Sequence, residues 1–343
     1  MEHTVKTGNY CSSIVAGGKL DFIGQVLCPM KGTFSEGYNE LIEEQVKRGG
    51  RNLYSYVPTV CGGGKKAGEE EPDQGDVLKY LTIGDFPDIA ASFGYGDYFC
   101  SAFRDRFLGK GNFTAPERTG INSLFEHTGI EDPDGEFYIY SGYPVVFMVD
   151  RKKLGNLPVP HTWQDLLNPV YKRNITIGGG HGKVSATVPL HVYKNFGEKG
   201  LDKFEANVAQ AMHPSEMVRL AGTENANNTA IYTILYFFGK AAGEKKNVEL
   251  IWPEDGAVFE PAFFLLKKDK EAEYRFLIDY IAGKKYGELS AKNGFPVTCP
   301  GIDNRLQPEA KLQWPGWDFI KSHKMEKVSD MVCAPFQKYM VQP

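Results

Sequence analysis

Apolar runs alternate with turns rich in glycine and proline along the chain, and the alternation predicts a series of strands and helices. The run at 143–149 is rich in β-branched residues and predicts a buried strand, as does the run at 258–266. Residues 271–282 have apolar positions at helical spacing, and residues 230–240 predict an apolar helix capped by Thr229. Strands alternating with helices predict an α/β fold.

Further elements follow the same pattern. Strands are predicted at 19–27, 52–57 and 86–92, with a helix at about 36–47 after the first of them. A second amphipathic helix is predicted from four apolar residues at helical spacing: Leu201, Phe204, Val208 and Met212.

The chain changes character after the strand at 143–149. A basic pair and a proline-rich linker follow it, and Thr162 then caps a short helix that stops at Pro169. Trp163, with two leucines behind it, gives this helix an apolar face. The pattern predicts that the chain leaves one lobe here and starts another.

Length, net charge and cysteine content limit the possible classes of function. A chain of 343 residues can form two domains, and a net charge of −4 offers no broad basic surface for nucleic acid. No run of about 18 apolar residues is present, and the polar first residues contain no secretion-signal pattern, which leaves export undecided. Six cysteines without a C-x-x-C pair are expected to be buried free thiols.

Two predicted strand ends carry candidate ligand-binding residues near the first helix. Cys28 and Lys31 lie in the turn before that helix, whose free N–H groups, with Lys31 nearby, can hold an anion. Ser92 ends the strand at 86–92, and Tyr95 follows it in a glycine-rich turn. Open α/β sheets bind ligands at such strand ends.

A second anion-binding site is predicted after the strand near 174–177. His181 lies in the glycine-rich turn that follows, and Ser185 and Thr187 begin the next helix. Hydroxyls and backbone N–H groups at a helix start favour an anion. A third helix start, with Tyr232 in its first turn, is predicted at 230–240.

Several motifs resemble, in their order, the class II solute-binding proteins of ABC transporters, and in particular the branch that binds ferric iron and small anions. These motifs are Phe86-Pro87-Asp88-Ile89, Ser141-Gly142-Tyr143-Pro144-Val145-Val146-Phe147, Pro160-His161-Thr162-Trp163-Gln164-Asp165-Leu166-Leu167-Asn168-Pro169, Trp252-Pro253-Glu254-Asp255-Gly256-Ala257 and Gly294-Phe295-Pro296-Val297. The resemblance implies a two-lobed periplasmic-binding-protein fold with two hinge strands and a ligand cleft between the lobes. Lobe one would comprise residues 18–141 plus 262–343, and lobe two residues 142–261.

The resemblance also implies a function. The chain would be a monomeric, periplasmic or extracellular component of an importer that delivers its ligand to a membrane permease. Tyr143 and Asp255, in the hinge and return-strand motifs, join the candidate ligand contacts. Ferric-iron binders of this branch carry an adjacent tyrosine pair, whereas Tyr232 and Tyr236 here are separated. The expected ligand is therefore a small anion such as a phosphonate, a phosphorylated compound or a carboxylate, with ferric iron as the alternative and no other cofactor.

Two other interpretations remain open. An enzyme would use Cys28, with a thiol pKa lowered by a helix start, as nucleophile and His181 as base. No nucleophile-elbow or zinc-ligand motif supports that interpretation. A cytosolic ligand sensor of the same fold would fit a chain that is not exported.

Overall fold

The computed structural model describes residues 19–57, 77–180, 182–225, 229–243 and 245–341, without the side chain of Cys28. One mixed sheet of eleven strands runs through it. The strands are β1 (Phe22–Gly24), β2 (Ser55–Tyr56), β3 (Ile89–Phe93), β4 (Phe137–Asp150), β5 (Ile175–Gly180), β6 (Lys183–Val184), β7 (Val208–Met212), β8 (Ile231–Leu235), β9 (Val248–Ile251), β10 (Ala257–Leu266) and β11 (Leu312–Gln313). The helices are α1 (Lys31–Lys47), α2 (Ser101–Phe107), α3 (Arg151–Leu154), α4 (Thr187–Asn207), α5 (Pro214–Leu220), α6 (Tyr236–Ala242), α7 (Glu271–Ala282), α8 (Lys284–Lys292), α9 (Trp317–Ser322) and α10 (Met325–Cys333).

Strands β4 and β10 form the centre of the sheet and are antiparallel, with Val258 opposite Val145 and Leu265 opposite Phe137. The strand order β2-β1-β3-β10-β4-β8-β5-β6 places the strands formed early in the chain on one side of this pair and β8, β5 and β6 on the other. The register shifts between Ala262 and Phe263. A register shift of this kind bends a strand. The mixed α/β architecture is the one that the sequence predicts, and both central strands form where the apolar runs place them.

Aromatic packing anchors the early part of the chain to α7. Phe34 and Tyr38 of α1 lie against Phe22 of β1, with ring centroids 6.3 and 5.5 Å away. Tyr280 of α7 packs on Phe34 and donates its hydroxyl proton to the Phe34 carbonyl at 2.8 Å. The helix α7, predicted at 271–282, has these bounds in the structure.

The predicted helix at 230–240 is wrong in its first half. Residues Ile231–Leu235 form strand β8, and helix α6 begins only at Tyr236. Strand β8 pairs with β4 on one edge and with β5 on the other. A short apolar run suits both a strand and a helix, and these long-range pairings decide the outcome.

The predicted helix through Val208 and Met212 is also wrong. Leu201 and Phe204 belong to α4, but Val208–Met212 is strand β7, which pairs with β5. The apolar residues at the end of α4 and in β7 happen to be at helical spacing. The prediction therefore merged the end of a helix with the strand that follows it. The first helix, by contrast, is longer than predicted and begins at Lys31.

The short helix after the linker is a single 3-10 turn at Asp165–Leu167, and a second turn starts at Pro169. Thr162 Oγ1 accepts the Asp165 N–H at 3.2 Å, as expected of a cap. Of the six cysteines, Cys100, Cys299 and Cys333 have described side chains, and all three are free thiols. Within the described ranges, no helix is both long and apolar enough to cross a membrane.

Candidate functional site

A cavity of about 330 Å³ opens where the central strands meet the ends of β5 and β8. Leu27 and Pro29, which precede α1, form one wall, and segments between β4 and β10 form the rest. The other lining residues are Val145, Gly178, Gly179, Gly180, Lys183, Val184, Ser185, Thr187, Val188, His213, Pro214, Thr233, Leu235, Phe238 and Glu260. Two sequence regions that are far apart thus enclose one space of a size that suits a small molecule.

Glycines shape the wall at the end of β5. A Cβ at Gly179 would lie 2.7 Å from Met340 Sδ and 3.0 Å from the Lys183 carbonyl oxygen, so this strand end has no room for a side chain. Gly182, in the turn to β6, has a φ of +75°, which favours glycine. The turn also contains His181, which lies outside the described residues. Its predicted role as a ligand contact stays a prediction.

Helix α4 begins at this glycine edge. The Ser185 N–H donates to the Gly178 carbonyl at 2.9 Å, which fixes the approach to the helix. Ala186, the residue before the helix, contributes no capping side chain. The Ser185 hydroxyl oxygen accepts the Thr187 N–H at 3.5 Å. A helix start carries partial positive charge and favours a negative group. Lys183 adds a full positive charge to the same wall.

The wall also contains a buried hydroxyl without a partner. Thr233 on β8 is 1% exposed, and its Oγ1 makes no hydrogen bond with any described residue. A buried hydroxyl that lacks a partner destabilises a protein by about 1–3 kcal/mol. Such a group on a cavity wall is available to hydrogen-bond a ligand.

Glu260 of β10 brings a carboxyl group into the cavity. Its Oε1 accepts the hydroxyl proton of Thr187, at the start of α4. Its Oε2 lies on the side of Gly94, where a Cβ would be 3.5 Å away. Burial raises the pKa of Glu260 to about 7. The carboxyl therefore lies between the start of α4 and the turn after β3.

Thr187 has only one hydroxyl proton, and Glu260 accepts it. The Ser185 and Thr187 hydroxyl oxygens are 3.1 Å apart, so Ser185 donates in that contact. Thr187 therefore positions Glu260 and offers an acceptor, rather than a donor, to the cavity. The hydrogen-bond donors in this wall are Lys183, Thr233 and the start of α4.

The raised pKa of Glu260 predicts a pH-dependent stability. The folded pKa of about 7 exceeds the ordinary value of 4.5, so the contribution of Glu260 is fully present below pH 4.5 and is lost as the pH rises through 7. We expect the unfolding free energy of the ligand-free protein to fall by ~3 kcal/mol between about pH 5 and pH 8, relative to Glu260→Gln. Urea unfolding at both pH values measures this difference.

Glu271→Gln is the matched control, because Glu271 lies on the outer face of α7 and pairs with Arg275 at 3.2 Å. This variant should keep the pH dependence of the original protein. If Glu260→Gln and the original protein showed parallel pH profiles, the carboxyl would not be the buried acid that the structure describes.

Three predicted site residues are engaged within the fold. The Ser92 hydroxyl is buried and donates to Gln25 Oε1 at 2.7 Å. The Tyr95 hydroxyl is buried and donates to the Phe259 carbonyl at 2.8 Å. Tyr143 is opposite Glu260 in the β4–β10 pair, and its ring packs against Phe295 with centroids 5.2 Å apart. The described lining of the cavity includes none of the three.

The other predicted residues with described positions do not line the cavity. Tyr232 is fully buried in β8, one position before Thr233. Asp255 accepts the Trp163 N–H, with Oδ2 3.1 Å from the nitrogen. Lys31 is the first residue of α1, and the backbone of Cys28 lies between the two lining residues Leu27 and Pro29. Of the ten predicted residues, the structure brings Ser185 and Thr187 into the cavity wall.

Sequence analysis missed Glu260, Thr233 and His213. Glu260 is the one charged residue in the apolar stretch Ala257–Leu266, and that contrast was a usable signal. Thr233 was hidden by the incorrect assignment of its segment to a helix. His213 caps α5 by accepting the Ser215 N–H at 3.2 Å and reaches the cavity because β7 ends beside β5. No local pattern marks it.

Comparisons with known proteins agree with this architecture. A family model described as bacterial extracellular solute-binding protein matches residues 84–323. An ABC transporter protein from Clostridium perfringens is similar in structure at 15% identity, with 93% of this chain and 99% of that chain covered and a TM-score of 0.57. The Bordetella ferric binding protein is similar at 14% identity, 92% and 98% coverage and a TM-score of 0.58.

A third similar structure is a periplasmic binding protein from Actinobacillus pleuropneumoniae with fructose-6-phosphate bound. It is 14% identical, with 93% of this chain and 99% of that chain covered and a TM-score of 0.57. No curated protein sequence matches this chain significantly. At these identities, the similar structures establish a shared fold.

Proposed function

The chain belongs to the bacterial extracellular solute-binding proteins, with the fold of ABC-transporter substrate-binding proteins, and from that premise we propose that it holds a small anionic solute between two closing lobes. The observation that carries the proposal is the cavity itself. Leu27 and Pro29 line it from one side of the central strands, and the start of α4 lines it from the other. A space enclosed from both sides can close around a ligand.

The charge and hydrogen-bonding groups of the cavity favour an anion at its inner end. Lys183, the start of α4 and the unpartnered hydroxyl of Thr233 all lie in this wall. Each favours a group that is negative or accepts hydrogen bonds. The apolar residues Leu235 and Phe238 supply a surface for a carbon skeleton.

Ferric iron is the alternative ligand, and one similar structure is a ferric binding protein. Ferric iron prefers phenolate and carboxylate oxygens as ligands. Glu260 could supply one oxygen, but Tyr232 is buried in β8 and Tyr236 packs against Trp252, with ring centroids 5.2 Å apart. The described residues contain no group of three acidic, histidine or cysteine side chains that could hold a metal. The anion is the better-supported ligand.

The proposal also covers the two lobes, the location of the protein and its partner. The lobes would be residues 18–141 plus 262–343 and residues 142–261, because the register shift at Ala262 falls near both boundaries. The protein would act as a monomer outside the cytoplasmic membrane and deliver its solute to a membrane permease. The matched family is described as solute-binding, so the proposal gives the chain a binding role and assigns no catalytic role to Cys28.

Thermal unfolding against a ligand panel tests the proposed ligand class. The panel contains phosphate, phosphonates, sugar phosphates, small carboxylates, and ferric iron with and without phosphate. An anion at 100 times its dissociation constant should stabilise the folded protein by ~2.7 kcal/mol. Stabilisation by ferric iron alone would overturn the anion proposal, and the absence of any shift would favour a sensor or an enzyme.

The variant Thr233→Val separates ligand binding from folding. Valine has nearly the same shape but lacks the unpartnered hydroxyl, so we expect the ligand-free protein to become ~1 kcal/mol more stable. The anion found in the panel should bind roughly 10-fold more weakly, because one buried hydrogen bond to it is lost. Urea unfolding and isothermal titration calorimetry measure the two effects.

Thr229→Val is a suitable control. Thr229 is also buried beside β8, but its hydroxyl already pairs with Thr176 at 2.6 Å. This variant should lose stability and keep its affinity. Unchanged affinity in Thr233→Val would remove Thr233 from the binding site.

A further inference from the structure

The Thr187 hydroxyl lies between the carboxyl of Glu260 and the helix start where the anion would bind. Thr187 donates to Glu260 Oε1, and the Thr187 oxygen is 3.1 Å from the Ser185 oxygen at the start of α4. An anion held at that helix start would therefore lie on the order of 5–6 Å from the carboxyl. Two negative charges at that distance in a partly buried site repel each other strongly.

The protein itself offers little compensation for that repulsion. Among the described residues, which do not include His181, no lysine, arginine or histidine nitrogen lies within ion-pairing distance of Glu260. Its described hydrogen-bond partner is the hydroxyl of Thr187, which donates to Oε1, so the carboxyl is arranged as an acceptor. Lys183 lies in the same cavity wall but forms no ion pair with Glu260. A cationic group of the ligand would therefore fit the carboxyl.

We propose that the solute is a small zwitterion whose protonated amine binds Glu260 while its anionic group binds the start of α4. This inference rests on the proposed function of the cavity. An ammonium group has three N–H donors and no acceptor. It can bond to Glu260 Oε2 and to the Thr187 oxygen, whose own proton is already donated. The same ammonium would neutralise the carboxyl beside the bound anion.

Proton linkage gives a second, independent prediction. Burial raises the pKa of the empty Glu260 carboxyl to about 7, and an adjacent ammonium would lower it again. Binding of a zwitterion near pH 7 should therefore release a proton, whereas binding of a plain anion should take one up. Among the described residues, the other titratable groups facing this region are Tyr95, Tyr143, Lys183 and His213. Glu260→Gln distinguishes their contribution from that of Glu260.

Matched ligand pairs test the proposal on the full chain. The pairs are 2-aminoethyl phosphate with ethyl phosphate, and β-alanine with propionate, titrated calorimetrically in buffers of different ionisation enthalpy. We expect the amine-bearing member of at least one pair to bind roughly 30-fold or more tightly than its amine-free partner. In Glu260→Gln, that preference and the proton release should both disappear.

The outcomes are distinct. Equal binding of both members in every pair that binds, or proton uptake with the amine-bearing members, would overturn the zwitterion proposal and leave the anion proposal standing. No binding by any member, together with no response in the ligand panel, would overturn the proposed function itself. Glu260→Asp serves as a folding-neutral check, because it keeps the charge and should retain the preference for the amine.

Discussion

Replacing Trp163 with alanine is expected to lower the free energy of unfolding by ~3–5 kcal/mol. Trp163 is fully buried, and its Nε1 donates to the Gly256 carbonyl at 2.9 Å. Its ring meets Phe147 of β4 at 4.8 Å and His191 of α4 at 5.1 Å, centroid to centroid. The alanine variant would lose both contacts and leave a large cavity. Denaturant unfolding followed by circular dichroism measures the change.

Trp163→Phe is the control that separates the ring from its hydrogen bond. Phenylalanine keeps most of the apolar burial and loses only the Nε1 donor, so the expected cost is ~1–2 kcal/mol. We expect Trp163→Ala also to bind its ligand more weakly, because Trp163 supports the helix whose start lines the cavity. If Trp163→Ala unfolded like the original protein, this tryptophan would not hold α4 to the sheet.

Replacing Asp88 with alanine is also expected to cost ~3–5 kcal/mol, because it leaves a buried lysine without its carboxylate. Asp88 is 3% exposed, and Lys267 Nζ lies 3.4 Å from Oδ1. Lys19 also binds Oδ1, and the Tyr274 hydroxyl lies 3.0 Å from Oδ2. Burial alone would raise the pKa of Asp88, but the hydrogen bonds from Lys19 and Tyr274 lower it overall.

The pH dependence of Asp88→Ala follows from that lowered pKa. The carboxylate contributes its stability above the ordinary pKa of 3.8, and the contribution disappears as the pH falls through the lower folded pKa. The difference between the original protein and Asp88→Ala should therefore shrink below about pH 4. Urea unfolding at neutral and acidic pH measures it. Glu43→Ala, which breaks only the exposed pair with Lys47, should cost less than ~1 kcal/mol at any pH.

The elements that sequence analysis predicted well are those whose residues satisfy one pattern over a long stretch. Strand β10 and helix α7 are such cases, because apolar residues fill the strand and recur at helical spacing in the helix. The prediction for strand β8 was wrong, because an apolar run of five residues beside Tyr236 is too short to show a helical or a strand pattern. Its pairing with β4 and β5 decides its conformation, and neither partner is a sequence neighbour.

The residues of the candidate site likewise fall into those that a local sequence pattern predicts and those that it does not. Ser185 and Thr187 could be found because a glycine-rich turn followed by hydroxyl residues marks a helix start within one short segment. The contact between Thr187 and Glu260 joins residues far apart in the chain, and no local pattern encodes it. The side chains proposed to select the ligand are therefore the ones that only the fold brings together.

The pairing of β3 with β10 also imposes an order on folding during synthesis. Phe93 at the end of β3 lies opposite Ala262, and every strand between β4 and β10 is made before that partner exists. Pairing across so long a separation is slow, because the intervening chain must be closed into a loop first. The region between the two central strands can pack while it emerges, whereas the edge of β3 stays open until β10 arrives. Nascent chains cut short before residue 257 should therefore bind a strand-capturing chaperone through β3, and chains extended past Leu266 should not.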